Sequence, residues 1–546
     1  MRSKLMSKSF PKLVTIAALA VSLTSAARAE TWPPTTPPRV DLGPAPKGSS
    51  APAPVTPIPP PPAAVAPPAA AASTPPTTDV APPSVPVEAP PVVAAPPPAV
   101  EPSESASSVS TVSVVAAPPA PVRERYGSRD GQLFVRTPGD GVVLLPVARL
   151  ELDGRGVETG EQNASQGTFS LGRARLDLAG WLGSPVYFDA GVDFANGPSL
   201  RHTDDFVAVA PWGDRAILQL GQFDAPFTLE NRTPDRYLDL GDRGAAVHTF
   251  AIPDNKDQGV MLHGTNPERN FYYSAAVMNG EGPRATGVDG RVDVMARGWI
   301  APFSFRDPRG LRDLRVGASV WTGDRSFQSS SSTFTGQTTA AGFSVLDPTA
   351  WRSDGRNLEL RQDGRLAALG IEVDAPFANR FGGRFELVWK RQPLAAVDPA
   401  SATTPAARAG GLTLSGFGAY VEGYAWILGD ASLLGSPAAA GLGLPTRLRD
   451  FQPTKPRSGL MVSARLDFID EKLAADAESR TAKLNFASEG DTRVTAATVG
   501  ASYWYTRRAR ALLTYTFNKL DGANPYFNGL DSKNVQEVLL RTAFAL

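Results

Sequence analysis

Short segments in which apolar and polar residues alternate fill the chain from about residue 130 to its end. In residues 172–180 the alternating positions are Arg173, Ala174, Arg175, Leu176, Asp177 and Leu178. Residues 146–153, 186–194 and 463–468 repeat the pattern. Because successive side chains of a strand point to opposite faces, this period of two predicts β-strands with one apolar and one charged face.

The apolar faces of so many strands need a cover. The sequence offers no second set of apolar segments and no amphipathic helices that could supply it. Lipid is the remaining cover, and the charged faces would then line a wet lumen, so the pattern predicts a transmembrane β-barrel. Aromatic residues near segment ends fit the two membrane interfaces: Trp181, Phe188, Trp212, Trp299, Trp321, Tyr503, Trp504 and Tyr505.

We count sixteen candidate strands, so the expected fold is all-β, a 16-stranded antiparallel barrel. Their approximate starts are residues 143, 168, 186, 203, 215, 258, 270, 291, 313, 361, 381, 411, 458, 492, 509 and 535. Short and long connections alternate between them, as in bacterial outer-membrane barrels. One connection departs from this rule, because residues 429–457 occupy the place of a short turn. Either that connection is exceptional or the count is wrong by one hairpin.

The N-terminal region differs from the barrel region in composition. Residues 1–29 have a basic start, an apolar core and a small-x-small site ending at Ala29, which predicts an export signal peptide. In residues 31–120, 28 of the 90 positions are proline. Such a segment favours extended polyproline II, and we predict that residues 30–122 form a disordered linker. It is either a plain spacer or a periplasmic tether that contacts the cell wall. Residues 123–546 form the predicted barrel domain.

The segment from Ala216 to Arg243 begins as a strand and continues as a long charged connection. Pro226 ends the strand, since proline has no N–H to donate. The charged residues that follow are Glu230, Arg232, Asp235, Arg236, Asp242 and Arg243. Long charged connections between short strands often carry function. Two interpretations stay open: a loop that folds into the barrel and narrows the pore, or a solvated surface loop.

Arginine dominates the basic residues of the barrel region, with 40 Arg against 7 Lys, and 48 acidic residues balance them. Guanidinium groups offer paired donors to phosphate, so lumen arginines would form an anion path. Pairing with acids on neighbouring strands is the structural alternative for each of them. The candidate pore-lining and anion-binding residues are Arg149, Arg173, Arg175, Arg232, Arg236, Arg243, Arg291, Arg297 and Arg465.

Several segments resemble the phosphate-selective porin O and P family. They are GRARLDLAG at 172–180, GQFDAPFTLE at 221–230, GVMLHG at 259–264, YYSAAVMNGEG at 272–282 and ATVGASYWYTRRARALLTYTFNKLDG at 497–522. The resemblance implies a homotrimer of sixteen-stranded barrels in the outer membrane of a Gram-negative bacterium, with the linker in the periplasm. It also implies that the third loop folds inward beside a ladder of arginines.

The function expected from this resemblance is passive diffusion of small anions such as phosphate or polyphosphate through an outer-membrane porin. Its partners would be membrane lipid and anionic solutes, without a cofactor, a metal or nucleic acid. The alternative is a non-specific porin, or a structural outer-membrane protein whose linker tethers the barrel to the cell wall. An enzyme is not expected, because His202, His248 and His263 are far apart and lie in no hydrolase motif.

Overall fold

The computed structural model describes residues 124–129, 132–158, 166–195, 201–250, 255–280, 282–283, 290–305, 310–328, 334, 337–338, 344–346, 348–399, 405–434, 458–522 and 534–545. All of them belong to one unit, Val114–Leu546. The predicted signal peptide (residues 1–29), the predicted linker (residues 30–122) and Leu546 lie outside the described residues.

Twenty-three strands run through the described part of the chain. They are β1 (Tyr126–Arg129), β2 (Gln132–Arg136), β3 (Val142–Glu158), β4 (Gln166–Leu182), β5 (Val186–Asp193), β6 (Arg201–Val209), β7 (Ile217–Asp224), β8 (Lys256–Thr265), β9 (Phe271–Met278), β10 (Asp293–Ile300), β11 (Arg315–Arg325), β12 (Gln337–Thr338), β13 (Ser344–Leu346), β14 (Ala350–Trp351), β15 (Asn357–Gln362), β16 (Gly364–Phe377), β17 (Phe381–Asp398), β18 (Ala407–Leu428), β19 (Gly459–Ala475), β20 (Asn485–Phe486), β21 (Gly490–Thr506), β22 (Ala509–Gly522) and β23 (Asn534–Ala545).

Sixteen of these strands form a closed antiparallel barrel in the described residues: β3 to β11, β16 to β19 and β21 to β23. The last strand closes the ring by pairing with β3, where Arg541 lies opposite Asp153. The predicted fold class and strand count are therefore confirmed. Each predicted strand start lies within four residues of the observed one.

The long connection between β18 and β19 is the one that broke the expected alternation. The two strands pair directly with each other over Leu412 to Leu428 and Leu460 to Ala475, so no barrel hairpin is missing between them. The connection is therefore exceptional in length, and its residues 435–457 lie outside the described part. Sequence reasoning did not predict the β1–β2 hairpin, which pairs with the start of β3, or β14, which pairs with β15 and β20.

Three short α-helices occur in the described residues: α1 (Leu229–Arg232), α2 (Ala245–Phe250) and α3 (Ala477–Thr481). Both α1 and α2 lie in the connection between β7 and β8, whereas α3 lies between β19 and β21. Among the described residues, no helix is both long and apolar enough to cross a membrane.

The two faces of the barrel strands differ as the alternation predicts. Outward positions such as Leu150, Leu176 and Leu466 are 41%, 54% and 59% exposed. Inward positions on the same strands, such as Glu151 and Arg465, are buried. An exposed apolar belt on a closed barrel is the surface that lipid covers. The lumen side is filled in part by the β7–β8 connection, whose Phe227 ring packs edge-on against Trp321 with 5.6 Å between ring centroids.

Candidate functional site inside the barrel

The connection between β7 and β8 is described over residues 225–250 and 255, and this part lies inside the barrel; we call it the inward loop. It leaves β7 at Asp224, meets β11 through Phe227 and Thr228, and then reaches β17. There the Glu386 carboxylate accepts hydrogen bonds from the backbone N–H groups of Leu229 (3.2 Å) and Glu230 (2.6 Å). These are N–H groups of the first turn of α1, which lack partners within the helix. The Tyr420 hydroxyl donates to the same carboxylate at 2.8 Å, so Glu386 fixes the start of the loop to the wall.

Arg465 on β19 is the centre of a second set of contacts. Its guanidinium contacts the carboxylates of Glu230 (3.3 Å) and Asp467 (3.1 Å), and it also contacts Glu422 at 3.4 Å. It also donates to the backbone oxygens of Asp242 and Arg243, both at 3.1 Å. One buried arginine therefore joins three carboxylates and two loop carbonyls. Since β19 lies eight strands from β7 around a ring of sixteen, the loop crosses the whole lumen.

The tip of the loop reaches the wall formed by β21 to β23 and β3. Arg510 donates to the carbonyl of Leu238 at 2.9 Å, and Arg541 donates to the carbonyl of Gly241 at 2.7 Å. Gly241 has φ +79°, and a Cβ there would lie 2.3 Å from Leu512. The left-handed backbone favours glycine at this position, and the loop passes close to the Leu512 side chain. The tip is thus held by arginines that bind carbonyls.

The part of the inward loop that follows its tip packs against β18 and β19 through α2. The backbone N–H of Ala245 donates to the Asp467 carboxylate at 2.8 Å, and the N–H of Gly244 donates to Glu230 at 2.7 Å. Phe250 at the end of α2 is fully buried. The loop is therefore attached to the wall at its start, its tip and its return.

The predicted arginines on β3 and β4 face the lumen beside the loop. Arg173 pairs with Asp235 of the loop at 2.7 Å, and Arg175 pairs with Asp204 at 2.7 Å. Arg149 donates to Glu151. These three predicted residues are brought together on one stretch of wall, and each has a carboxylate partner.

Two further predicted arginines on the strands are deeply placed. Arg297 on β10 pairs with Glu372 at 2.6 Å and is buried, and Arg465 belongs to the network described above. Arg291 lies two residues before β10, whereas the sequence placed it within that strand; it is exposed and donates to the carbonyl of Arg325 at 3.0 Å. The structure does not bring Arg291 and Arg297 to the tip of the loop.

The three predicted arginines of the inward loop differ in their surroundings. Arg232 is buried and donates to the carbonyl of Asp224. Arg243 donates to the carbonyls of Glu230 and Thr233 and pairs with Asp235 at 2.8 Å. Arg236 is exposed and lies over the Tyr237 ring, 4.7 Å from its centroid. Two of the three hold the loop in shape, whereas Arg236 is exposed.

Arginines that the sequence analysis did not select gather near Arg236, at the end of the barrel with the short turns. Arg507 and Arg508 form the turn between β21 and β22, and Arg510 donates to the carbonyl of Arg236 at 3.3 Å. Burial, Arg507 and Arg236 together lower the pKa of Arg508 to about 10. We call Arg236, Arg507, Arg508 and Arg510 the basic mouth. The two-residue spacing of Arg508 and Arg510 was the feature of the sequence that could have identified them.

The surroundings shift the pKa values of two loop carboxylates, Asp235 and Glu230, in opposite directions. Burial alone would raise the pKa of Asp235, but Arg243, Arg173 and Arg149 outweigh it and hold that pKa well below its ordinary value of 3.8. For Glu230, burial dominates over Arg465 and raises the pKa above 4.5. Asp235 is therefore a firmly ionised part of the loop–wall contact. Within the described residues no group of His, Asp and Glu side chains has the arrangement of a metal site.

A closed sixteen-stranded barrel with an apolar outer belt and a charged interior crossed by a loop is the architecture of a porin, a channel protein of the outer membrane. Residues 148–350 match the model of the family described as phosphate-selective porin O and P. This match confirms the family resemblance predicted from the sequence.

Solved structures of outer-membrane proteins are similar to the chain at low identity. OmpT of Vibrio cholerae with loop L8 deleted is 9% identical, with a TM-score of 0.44, over 74% of this chain and 100% of that one. The channel DcaP of Acinetobacter baumannii is 13% identical, with a TM-score of 0.41, over 75% and 99%. An anion-selective porin from Comamonas acidovorans is 10% identical, with a TM-score of 0.38, over 74% and 99%. A comparison with curated proteins finds no match.

Proposed function

We propose that the protein is a passive diffusion channel for small anions such as phosphate or polyphosphate, and that the inward loop forms its constriction. A sixteen-stranded barrel leaves an aqueous channel unless something fills it. The observation that carries the proposal is the attachment of the loop to strands five to eight places away from β7 around the ring, through Glu386 on β17, Arg465 on β19 and Arg541 on β23. Solutes then pass where the loop leaves space beside the wall.

The anion preference is supported by the distribution of charge around the loop. Carboxylates of the inward loop are paired with arginines, as Asp235 is with Arg173 and Arg243. The basic mouth adds four positive charges at one end of the passage. In a narrow space with low-dielectric walls such charges attract anions more strongly than they would on an open surface. Guanidinium groups also bind phosphate oxygens in pairs.

The experiment is a planar-bilayer measurement of the zero-current potential in a potassium chloride gradient, repeated with phosphate. Wild type should favour the anion. Replacing Arg236, Arg507 and Arg508 by Gln should move the potential toward cation preference. The control removes three exposed cations on the long loops, Arg356, Arg480 and Lys483, and should move it less. Equal shifts in the two triple variants would mean that general surface charge, rather than the basic mouth, sets selectivity.

A structural role for the N-terminal linker is a second candidate, which would act beside the channel. Arg125 lies next to β2 at the end of the barrel that carries the short turns, since its carbonyl accepts from the N–H of Arg136. Short turns face the periplasm in outer-membrane barrels. We infer that residues 30–122 extend from there into the periplasm after removal of residues 1–29, and that the barrel forms a homotrimer. Deleting residues 30–122 should abolish co-sedimentation with cell-wall material, and unchanged co-sedimentation would exclude the tether.

A further inference from the structure

The inward face of β22 changes from apolar to polar and back to apolar along the strand. Its inward positions are, in order, Leu512, Thr514, Thr516, Asn518 and Leu520. The two leucines are each 1% exposed, so three consecutive polar positions lie between two buried apolar ones. The uncharged polar side chains are thus restricted to one section of the lumen wall.

The strand register extends this polar section to the two neighbouring strands. Thr498 on β21 and Glu537 on β23 both lie opposite Thr516. The hydroxyl oxygens of Thr498 and Thr516 are hydrogen-bonded to each other at 3.0 Å. Asp242 and Arg243, from the tip of the inward loop, line the same cavity as these wall residues. We call the four uncharged wall residues the polar band: Thr498, Thr514, Thr516 and Asn518.

Apolar side chains bound the cavity toward both ends of the barrel. Toward the short turns, Leu240 of the inward loop packs so close to the wall that a Cβ on Gly500 would lie 2.8 Å from it. Toward the long connections, Val494 on β21 and Val535 on β23 are 1% and 0% exposed. The cavity between these apolar layers is polar and has room for a few water molecules.

The charged groups that line the cavity balance one another. They are the three cations Arg155, Arg243 and Arg465 and the three acids Asp242, Asp467 and Glu537. Arg155 pairs with Asp242 at 3.0 Å, and Arg465 pairs with Asp467 at 3.1 Å. An ion in the cavity would lose hydration without meeting an uncompensated charge of opposite sign, which is unfavourable. The cavity therefore suits a neutral solute better than an ion.

The uncharged groups of the polar band, by contrast, have hydrogen-bonding capacity left over. Within the described residues the Thr514 hydroxyl forms no hydrogen bond with a protein group. In the pair of Thr498 and Thr516 one hydroxyl donates to the other, which leaves the second proton for another partner. The amide nitrogen of Asn518 donates to Glu537 at 3.2 Å, which leaves its oxygen to accept. Donors and acceptors therefore lie side by side, as a solute with several hydroxyl groups requires.

We propose that the polar band and the tip of the inward loop form a binding site for a small neutral solute rich in hydroxyl groups, such as a short-chain polyol. The band replaces the hydrogen bonds that the solute gives up to water, and Leu240 contacts its carbon chain. The site lies within the channel, so the inference rests on the proposed function as far as conduction is concerned, but not on the preference for anions.

The test uses the full chain, purified in detergent and reconstituted into liposomes, with the rate of swelling in erythritol as the readout. Wild type should admit erythritol faster than protein-free liposomes do. Replacing Thr498, Thr514 and Thr516 by Val keeps the branched shape of each side chain but removes its hydroxyl. Erythritol entry should then slow roughly tenfold or more, since each lost hydrogen bond is worth about a fivefold factor.

Two controls separate the loss of these hydroxyls from other effects. The first removes three hydroxyls from outward faces by changing to Val the residues Thr413, Thr495 and Thr542. The second changes the three threonines of the polar band to Ser, which keeps the hydroxyls. Both control variants should admit erythritol as wild type does. The potassium chloride conductance and zero-current potential should be the same in all of these proteins, because no charge is altered, and this shows that the Val variant is folded.

Three outcomes would overturn the proposal. Equal erythritol entry through wild type and through the Val variant would mean that the polar band does not contact the solute. Ion conductance without erythritol entry in wild type would leave the cavity to water alone. An equal fall of chloride conductance and erythritol entry in the Val variant would make the band a general part of the wall. Cation preference in wild type, by contrast, would contradict the anion channel proposed above and leave the polyol site standing.

Discussion

The two faces of β19 have the same backbone and the same length but are stabilised in different ways. On the outward face, Leu466 contacts whatever surrounds the barrel and has no specific partner. On the inward face, its neighbour Arg465 contacts Glu230, which lies 235 positions away along the chain. The outward face requires only an apolar side chain, whereas the inward face requires particular partners at particular distances. Substitutions on the two faces should therefore have very different costs.

The largest expected effect is at Arg465. Arg465→Met keeps the length of the side chain but leaves Glu230, Glu422 and Asp467 facing one another without the cation that joins them. Removing one partner of a buried ion pair costs about 3–5 kcal/mol. Thermal unfolding in detergent should report this loss. Leu466→Ala, on the outward face of the same strand, should cost less than about 1 kcal/mol. Similar losses at the two positions would contradict the distinction between the faces.

A smaller effect is expected at Asp235, where the loop pairs with Arg173 and Arg243. Asp235→Asn should destabilise the barrel by about 2 kcal/mol, because hydrogen bonds to charged groups contribute about this much. The pKa of Asp235 is depressed in the folded protein, so its contribution is complete above 3.8, the ordinary value. It is lost only as the pH falls through the lower, folded pKa.

The measurement for Asp235 is the difference in melting temperature between wild type and Asp235→Asn as a function of pH. This difference should stay constant from pH 8 to pH 5 and shrink only below 3.8. A difference that already declines near pH 6 would mean that the carboxylate is not held ionised by Arg243 and Arg173.

The smallest expected effect comes from single cysteine substitutions on β4, which report whether a position faces the lumen or lipid. The chain has no cysteine, so an introduced one is the sole thiol. Arg175→Cys should react with a small water-soluble thiol reagent added to intact cells, because position 175 faces the lumen. Leu176→Cys should not react, because position 176 faces lipid. Since a shift of one residue exchanges the faces of a strand, the opposite result would invert the register of β4.

The sequence by itself determined the parts of this protein that depend on local periodicity. Alternation gave the strands, their faces and their number, because a barrel strand in a membrane must present one face to lipid and the other to water. Arg173, Arg175 and Arg465 were assigned to the lumen in this way. The charged segment after Pro226 was recognised as unusual, because composition and length are also local properties.

Only the tertiary structure decided what each lumen residue contacts. Alternation places Arg465 inside but cannot choose Glu230 over any other carboxylate, because the partner comes from a loop that crosses the barrel. For the same reason Arg232 and Arg243 look equivalent to Arg236 in the sequence, although backbone carbonyls and Asp235 engage the first two. Arg507, Arg508 and Arg510 of the basic mouth were missed because a short turn meets the inward loop only when that distant loop approaches it. The alternation of residues depends on positions that are adjacent in the sequence. The contacts between lumen side chains depend on how the barrel closes and on the path that the inward loop takes through it.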